Sequence, residues 1–513
     1  MPNDKPRGRY MLMNVFEPGE IRIAICEKDE LEGFYIERAD QSTNTGNIYK
    51  GRVENIVPSL QSAFVNIGEQ RNGFLHISDV IFPDGGFRGL LPKRKRKVPA
   101  ERRDLSIGDV LYEGQEVLVQ VTKEGVGQKG PALTTYVSMP GRYLVLMPAL
   151  QKKGVSKRIE DENIRKRLKE ALKEIAPSKD MGVIVRTAGE NVGAEELKQD
   201  HRYLETLWAA IGRTVKAAAA PALIYKEGDL VLRAIRDIFT DDMTACFIDD
   251  EKTHSRLVEF MRVIMPRAVE KIKYFDKREP IFDHFGVEGQ VSSLGSRRIP
   301  LARGASLVID QTEALVAIDV NTGKLKEDSF GETLLQTNLL AAREIARQIR
   351  LRDLAGLIVI DFIDMDKPDH RKALQEEFKK SLERDKARLT VSPLSDFCVM
   401  ELTRQRQRTS LTRTLFQPCP LCAGRGYIEN LPTLGLSFFR KVRRAMAIEN
   451  CVKVEATVHP NLANLLLNEK RREITRLEDF YNCGVHITVD SKVEIEAIRV
   501  TACLENEEKV VIN

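Results

Sequence analysis

The chain has 513 residues, of which 42% are hydrophobic and 30% are charged, so it has enough apolar material for several globular domains. No apolar stretch reaches the roughly 20 residues that span a bilayer, and the first residues lack the apolar segment of a secretory signal. These features exclude membrane-spanning and secreted classes, and they predict a soluble cytoplasmic protein whose cysteines are not paired as disulfides.

The net charge of +5 is small, but the cations are clustered. Basic clusters lie at 92–97 (PKRKRK), 404–408 (RQRQR) and 440–444 (RKVRR). Any one of them is as consistent with a solvated surface as with a binding site. Together they favour a polyanionic partner, and nucleic acid is the first candidate.

The first forty residues alternate apolar and polar side chains, which predicts a strand hairpin. Short strands with glycine turns follow, and they continue after a polar, basic insert at 83–106, a pattern typical of a small OB-type barrel. Aromatic residues recur there beside cations: Tyr49, Phe64, Phe74, Lys50, Arg52 and Arg71. Each aromatic alone is more often part of a core, but the combination is typical of a surface that binds single-stranded RNA.

A charged helix is predicted near 157–175, and the strand Val183–Val185 follows and ends in Arg186 and Thr187. A guanidinium beside a hydroxyl suits a terminal phosphate, although spacing alone favours an ordinary surface turn. The next stretch, 195–280, predicts mostly helix with a strand near 229–238.

Residues 300–395 alternate strand, long helix and strand, which indicates a layered α/β unit. Both strands end in acidic residues: Asp319 follows one apolar run, and Asp361 and Asp364 follow the other. Two strands that deliver carboxylates to one sheet edge can hold a hard cation such as Mg²⁺, which can support phosphodiester cleavage. Asn321 points to the same side as Asp319 and can donate a hydrogen bond to a phosphate or water.

A structural interpretation of these carboxylates is equally open from the pattern alone. In that interpretation they cap turns, or they pair with Lys324, Arg352 or Arg388.

Only two of the eight cysteines are close neighbours, Cys419 and Cys422 in QPCPLCAGRGY. This spacing supplies half of a tetrahedral zinc site, and the chain has no second Cys-x-x-Cys and no nearby histidine pair. The same pair from a second subunit would complete the site across a two-fold axis. A redox pair, or two unrelated thiols in a turn, is the alternative, and the last eighty residues predict a small α+β module.

Four long motifs resemble the ribonuclease E/G family: VIDQTEALVAIDVNTG, TNLLAAREIARQIRLRDLAGLIVIDFIDM, MELTRQRQR and CPLCAGRG. The resemblance extends from NIYKGRVENIVPSLQSAFVNIG to the closing domain. Because the sequence ends at Asn513 without the long tail of the larger family members, the resemblance favours the short, ribonuclease G-like form, and a piece of a longer protein is the alternative.

The resemblance implies a multidomain α/β and α+β fold. The implied parts are an RNase H-like domain (1–41 and 231–294), an inserted S1-like OB barrel (42–135), a 5′-sensor region (136–230), a DNase I-like catalytic domain (295–414), a zinc-link (415–429) and a small α+β dimerisation domain (430–513).

The resemblance also implies roles for individual residues. Asp319 and Asp361 would bind catalytic Mg²⁺, with Asn321 and Arg388 as further catalytic residues. The remaining implied residues are Arg186, Thr187, Gly141 and Val145 for the 5′-monophosphate sensor, Phe64, Phe74 and Lys129 for RNA binding, and Cys419 and Cys422 for a structural Zn²⁺ shared between subunits.

The implied function is a Mg²⁺-dependent endoribonuclease that is stimulated by a 5′-monophosphate. It would cut single-stranded RNA, namely rRNA precursors and mRNA, to 5′-phosphate and 3′-hydroxyl ends, as a homodimer or a homotetramer. The alternatives are a non-catalytic RNA-binding assembly protein and a DNA nuclease. Asp319, Asn321 and Asp361 argue against the first, because a binding module has no need of them.

Overall fold

A computed structural model of the chain divides into two compact units, Met1–Ser410 and Leu411–Asn513, which are described separately. Its described residues are 6–38, 44–81, 106–125, 129–148, 150, 153–175, 181–323, 330–406, 411–422 and 424–512. Most of the basic insert predicted at 83–106, including the cluster at 92–97, lies outside the described residues.

The strands of the first unit up to residue 225 are β1 (Arg9–Asn14), β2 (Glu20–Glu27), β3 (Glu30–Arg38), β4 (Ile48–Val57), β5 (Ser62–Asn66), β6 (Gly73–His76), β7 (Glu116–Lys123), β8 (Ala132–Thr134), β9 (Met139–Pro140), β10 (Leu144–Met147), β11 (Lys153–Val155), β12 (Gly182–Val185) and β13 (Ala222–Tyr225). The helices of this stretch are α1 (Ile107–Val110), α2 (Glu162–Ile175) and α3 (Ala194–Ala217).

From residue 226 to the end of this unit the strands are β14 (Met243–Ile248), β15 (Ile272–Tyr274), β16 (Arg298–Pro300), β17 (Ser306–Gln311), β18 (Leu315–Asn321), β19 (Gly356–Asp361), β20 (Leu389–Val391) and β21 (Val399–Arg404). The helices are α4 (Leu230–Asp237), α5 (Glu251–Ile264), α6 (Ile281–His284), α7 (Glu288–Ser292), α8 (Phe330–Leu351) and α9 (Pro368–Leu382).

The first sheet joins two distant stretches of the chain in the order β15-β14-β1-β2-β3. The predicted hairpin is present as β1 and β2, and β3 extends it. Strand β1 also pairs in parallel with β14, and apolar side chains of α4 and α5 complete the core beneath. The segment between β3 and β14 is therefore an insertion between two parts of one sheet.

A closed five-stranded barrel follows, as the spacing of short strands predicts. Strand β4 pairs with both β5 and β7, and β6 and β8 close the circle. Tyr49 and Lys50 are corrections to the predicted RNA surface, because both are buried. The hydroxyl of Tyr49 bonds Glu69, and the Lys50 ammonium lies 3.1 Å from a Glu116 carboxylate oxygen.

The third sheet has the order β11-β12-β10-β9 and packs against α2 and α3. The predicted helix near 157–175 is observed as α2. The predicted strand near 229–238 is wrong, since α4 occupies this stretch and the Asp229 carboxylate caps it by accepting the Leu232 N–H at 3.1 Å.

The fourth sheet has six strands in the order β16-β17-β18-β19-β21-β20. Strands β18 and β19 are parallel neighbours, and the other pairs are antiparallel. Apolar residues of α8 and α9 share a core with the sheet, which confirms the predicted α/β unit.

The second unit is α+β, as predicted. Its helices are α10 (Leu411–Leu415), α11 (Leu431–Met446), α12 (Pro460–Asn464) and α13 (Arg471–Tyr481), and its strands are β22 (Cys451–Val458), β23 (Gly484–Val489), β24 (Arg499–Leu504) and β25 (Lys509–Ile512). The sheet has the order β23-β22-β24-β25, and α11 buries its apolar face, including Phe438, against it.

Candidate active site and RNA-binding surfaces

Two carboxylates meet where β18 and β19 end. The parallel ladder pairs Ile318 with Ile360 and then Asp319 with Asp361. Both isoleucines are buried and both aspartates are exposed, because successive side chains of a strand point to opposite faces. The two aspartates therefore share one face of the sheet, and Asn321 lies on it too, two residues beyond Asp319.

Hydrogen bonding and charge couple these side chains. The Asn321 amide donates to a carboxylate oxygen of Asp319 at 2.6 Å. Partial burial, the Asp319 carboxylate and the Asp364 carboxylate raise the pKa of Asp361 above its ordinary value. Nearby like charges make this edge favourable for a cation.

The structural interpretation of the carboxylates finds little support. The Arg352 side chain is buried and donates instead to Gln348 at 2.7 Å and to the Ser296 carbonyl at 2.8 Å. In the part of the chain that is described, neither Asp319 nor Asp361 forms an ion pair with a basic side chain, and Lys324 lies outside that part.

The donor set suits Mg²⁺, which typically takes one or two carboxylates and completes its octahedron with water and substrate phosphate. The paired carboxylates of Asp319 and Asp361 match that number. No group of three or more His, Cys, Asp or Glu side chains in the described ranges is placed to hold a metal ion. The edge would therefore bind the metal with most of its ligand positions left for water and substrate.

The structure does not bring Arg388 to this edge, which corrects its predicted place among the catalytic residues. Asp361 pairs with Val399 at one end of β21, whereas the Arg388 carbonyl accepts the N–H of Gln405 beyond the other end. The length of β21 separates them, roughly 17 Å. Close to Arg388, the Lys386 ammonium donates to the Asp237 carbonyl at 3.0 Å, so this segment faces the candidate sensor.

The candidate sensor arginine is held from several sides. The Arg186 N–H donates to the Tyr143 carbonyl at 2.7 Å. Its guanidinium donates to the Gly141 carbonyl at 2.6 Å and lies 2.7 Å from the Asp237 carboxylate. Burial alone would raise the pKa of Asp237, but Arg236 and Arg186 outweigh it and hold the pKa below its ordinary value.

The other predicted sensor residues lie around this arginine. Thr187 is exposed and shares a 3.1 Å hydrogen bond with the Ser156 hydroxyl. Val145 pairs with Ile184 on the neighbouring strand. Gly141 packs so closely on Asp200 that an added Cβ would lie 2.6 Å from a carboxylate oxygen.

Asp200 and Asp237 are residues that sequence reasoning missed. The buried Asp200 carboxylate accepts N–H groups of Arg142, Tyr143 and Leu144 at 2.8–3.0 Å and so fixes the turn at Gly141. An aspartate on the apolar face of α3, beside Leu197 and Leu204, is the signal that could have found it.

Two aromatic rings lie side by side on the outer face of the barrel. Phe64 and Phe74 are cross-strand partners on β5 and β6, their centroids lie 6.0 Å apart, and the rings are nearly perpendicular at 69°. Both are half-buried, because the inward positions go to neighbours such as Val65 and Leu75. Lys129 is exposed and precedes Ala132, which pairs with Phe74. The three predicted RNA-binding residues therefore share one region.

The cysteine pair of the second unit is at least partly exposed to solvent. Cys419 is exposed, Cys422 is half-buried, and the Gly426 N–H donates to the Cys422 sulfur at 3.3 Å. The amides of Gly426 and Gly424 lower the pKa of the Cys422 thiol, and the neighbouring Cys419 adds to the effect. Amides that favour a thiolate suit a zinc knuckle, and the pair supplies two of four ligands.

Comparison with models of protein families shows to which family this chain belongs. The model of the ribonuclease E/G family matches residues 138–407, which include the two carboxylates and the candidate sensor residues. The chain belongs to the ribonuclease E/G family. The S1 RNA binding domain matches residues 42–135, and the thioredoxin-like domain of RNase E/G matches residues 418–503.

Curated members of the ribonuclease E/G family are similar over nearly the whole chain. Ribonuclease E of Haemophilus influenzae is 38% identical over 505 residues, 98% of this chain and 52% of that protein. Ribonuclease E of Escherichia coli K12 is 39% identical over 92% of this chain and 44% of that protein. Ribonuclease G of Escherichia coli K12 is 34% identical over 94% of this chain and 96% of that protein. The chain thus spans about half the length of these ribonuclease E proteins.

None of the helices built from described residues is both long and apolar enough to cross a membrane. The cytoplasmic location of this ribonuclease E/G family member stays a prediction.

Proposed function

We propose that the protein is an endoribonuclease that cuts single-stranded RNA at internal phosphodiesters, at the edge formed by Asp319 and Asp361. The observation that carries this proposal is the pairing of the two carboxylates on one exposed face at the end of a parallel ladder. Membership of the ribonuclease E/G family supports the same reaction class.

In this proposal Asp319 and Asp361 hold one Mg²⁺. Bound there, the ion supplies Lewis acidity that activates water and offsets charge on the phosphate, leaving 5′-phosphate and 3′-hydroxyl ends. Asn321 orients the Asp319 carboxylate through its 2.6 Å hydrogen bond. The raised pKa of Asp361 reflects its partial burial and the repulsion of Asp319 and Asp364, and a divalent cation would relieve that repulsion.

Substrate binding is assigned to two other surfaces. Phe64 and Phe74 offer ring faces to bases, and the exposed Lys129 offers a cation to the backbone. Arg186 and Thr187 bind a 5′-monophosphate, for which Arg186 exchanges its contact with Asp237. Because the sensor is separate from the carboxylates, end recognition raises the local RNA concentration without entering the chemistry.

The finer architecture belongs to the same proposal. The sheet of β1–β3, β14 and β15 is assigned as RNase H-like, and the sheet that carries Asp319 is assigned as DNase I-like. Cys419 and Cys422 share one Zn²⁺ with the same pair of a second subunit, which gives a homodimer or, from two dimers, a homotetramer. The proposed substrates are rRNA precursors and mRNA.

The test compares a 5′-monophosphorylated single-stranded RNA with DNA of the same sequence, each incubated with Mg²⁺. Internal cuts in the RNA alone, with 5′-phosphate on the downstream product, support the proposal. Cutting of the DNA would favour a DNA nuclease, and RNA that is bound but uncut would favour an assembly protein.

A further inference from the structure

One large apolar side chain beside the carboxylate edge stands almost entirely in water. Phe397 is 81% exposed, the largest value among the large hydrophobic residues of the described ranges. It precedes β21 by two residues, and the first residue of β21, Val399, pairs with Asp361. The Cα atoms of Phe397 and Asp361 are therefore within roughly 13 Å of each other.

The turn that carries Phe397 is firmly held. The Cys398 N–H donates to the Ser395 carbonyl at 3.1 Å, and the Val399 N–H donates to the Ser395 hydroxyl at 3.1 Å. The Phe362 N–H donates to the Cys398 carbonyl at 3.2 Å, which ties the turn to the end of β19. The ring is thus displayed on a fixed support next to the edge.

Cys398 explains why the ring points outward. Its backbone adopts the left-handed region with φ of 55°, which side chains with a Cβ rarely adopt, while its own side chain is fully buried. The chain therefore reverses between Phe397 outside and Cys398 inside. A conformation of this kind persists where surrounding structure determines it, and such sites often have a function.

A cation lies close to Asp396, the residue before Phe397. The Arg371 Nε donates to the Met365 carbonyl at 2.7 Å, which fixes the side chain. Its Nη1 lies 3.7 Å from a carboxylate oxygen of Asp396, whose side chain is fully exposed. Such a long pair in water is weak, so Asp396 yields readily to a phosphate.

We propose that Phe397 is the stacking platform for a base of the RNA next to the phosphodiester that is cut, and that Arg371 contacts the neighbouring phosphate. The inference rests on the proposed endoribonuclease function and adds a substrate-positioning subsite to it. An aromatic face beside a cation is the usual arrangement for single-stranded nucleic acid. The flanking residues Ser395 and Asp396 are polar and exposed, which favours a nucleic acid over an apolar protein surface as the partner.

The first test measures kcat/KM of the full chain on a short 5′-monophosphorylated RNA with one cleavage site and Mg²⁺. Phe397→Ala is expected to lose about 5- to 140-fold, the usual range for one base stack. Phe397→Trp should keep most of the activity, since it keeps a ring. Phe16→Ala is the matched control, because Phe16 is 74% exposed in the turn between β1 and β2, and it should cut like wild type.

The second test replaces the nucleotides of the same RNA one at a time with abasic ones. An abasic nucleotide beside the cut should slow the wild type as much as Phe397→Ala does, and the variant should lose nothing further at that position. Thermal unfolding of Phe397→Ala should match wild type, since an exposed ring contributes little to the core.

Three results would overturn the inference. Wild-type rates in Phe397→Ala, or additive losses at every abasic position, remove the stacking subsite and leave the endoribonuclease function standing. Absence of cleavage by the wild type would contradict both the endoribonuclease function and the subsite. The wild-type reaction therefore distinguishes failure of the function from failure of the subsite alone.

Discussion

Asp319 and Asp361 form the last residue pair of the parallel ladder between β18 and β19, with both side chains on the same exposed face. The apolar pairs before them hold the register. A shift by one residue would place a carboxylate in the core, so the same burial that stabilises the sheet also sets the geometry of the edge.

The partial burial of Asp361 and the repulsion from its neighbouring carboxylates predict a stability effect. The pKa of folded Asp361 is raised above its ordinary value of 3.8, so ionisation of this carboxyl favours unfolding. The penalty is absent below 3.8, grows as the pH rises through the raised pKa, and is complete above it. Asp361→Asn should therefore raise the free energy of unfolding at pH 7 relative to wild type, and solvent screening at this exposed edge keeps the gain small.

Urea unfolding in EDTA, at pH 7 and below pH 3.8, measures this effect. Glu401→Gln is the control, because Glu401 is exposed on the neighbouring strand β21 and pairs with Val359 rather than with Asp361. A gain for Asp361→Asn that persists at the lower pH would show that the charge of Asp361 is not its origin.

The sensor assignment predicts a loss of end discrimination. Arg186→Gln should bring the ratio of kcat/KM for 5′-monophosphate over 5′-hydroxyl RNA close to one, a fall of about 10- to 100-fold, because a charged hydrogen bond to phosphate is lost. Asp237 keeps its 2.8 Å contact with Arg236, so the fold should survive. Arg213→Gln, on the exposed face of α3, removes the same charge and should leave the ratio unchanged.

The barrel surface predicts a loss of RNA affinity. Phe64→Ala and Phe74→Ala should each weaken binding of single-stranded RNA by about 5- to 140-fold, measured by fluorescence anisotropy at one fixed salt concentration. Because the two rings touch, the double variant should lose less than the product of the single losses. Tyr112→Ala, a partly exposed aromatic in the same barrel, is the control. Unchanged affinity in both single variants would contradict the assignment.

The cysteine pair predicts a metal-dependent assembly. Cys419→Ser or Cys422→Ser should remove about one zinc per two chains and dissociate the oligomer, since each chain supplies half of a tetrahedral site. Metal analysis with analytical ultracentrifugation measures both, and Cys503→Ser in the same unit is the control. One zinc in every chain, or an assembly that survives chelation, would argue against a shared site.

The sequence pattern predicted those features that depend only on neighbouring residues in the chain. The apolar runs before Asp319 and Asp361 predict two strands that end in carboxylates, and the structure has both in one sheet. The strand predicted near 229–238 is wrong, because the apolar run Leu230–Leu232 resembles the start of a strand although it begins α4. The side chain of Asp229, which caps the helix by accepting the Leu232 N–H, is the signal that favours a helix instead.

The remaining errors depend on non-local pairing. Arg388 follows the strand that ends in Asp361, yet the register of β20 and β21 places it at the end of the sheet remote from Asp361. Likewise, nothing near Tyr49 or Lys50 in the sequence shows that barrel closure would bury both, or that the Lys50 ammonium would donate to the carbonyl of Ala218. The position of Arg388 and the burial of Tyr49 and Lys50 depend on residues that are distant in the sequence, so the local sequence does not determine them.

The central claim is best tested by separating cleavage from binding in Asp319→Asn, with a 5′-monophosphorylated single-stranded RNA in Mg²⁺ and in EDTA. The account predicts Mg²⁺-dependent internal cuts by the wild type and by Glu401→Gln, and no cuts by Asp319→Asn although it binds the RNA with nearly wild-type affinity. Cleavage by Asp319→Asn at the wild-type rate, or loss of RNA binding equal to the loss of cleavage, would contradict it.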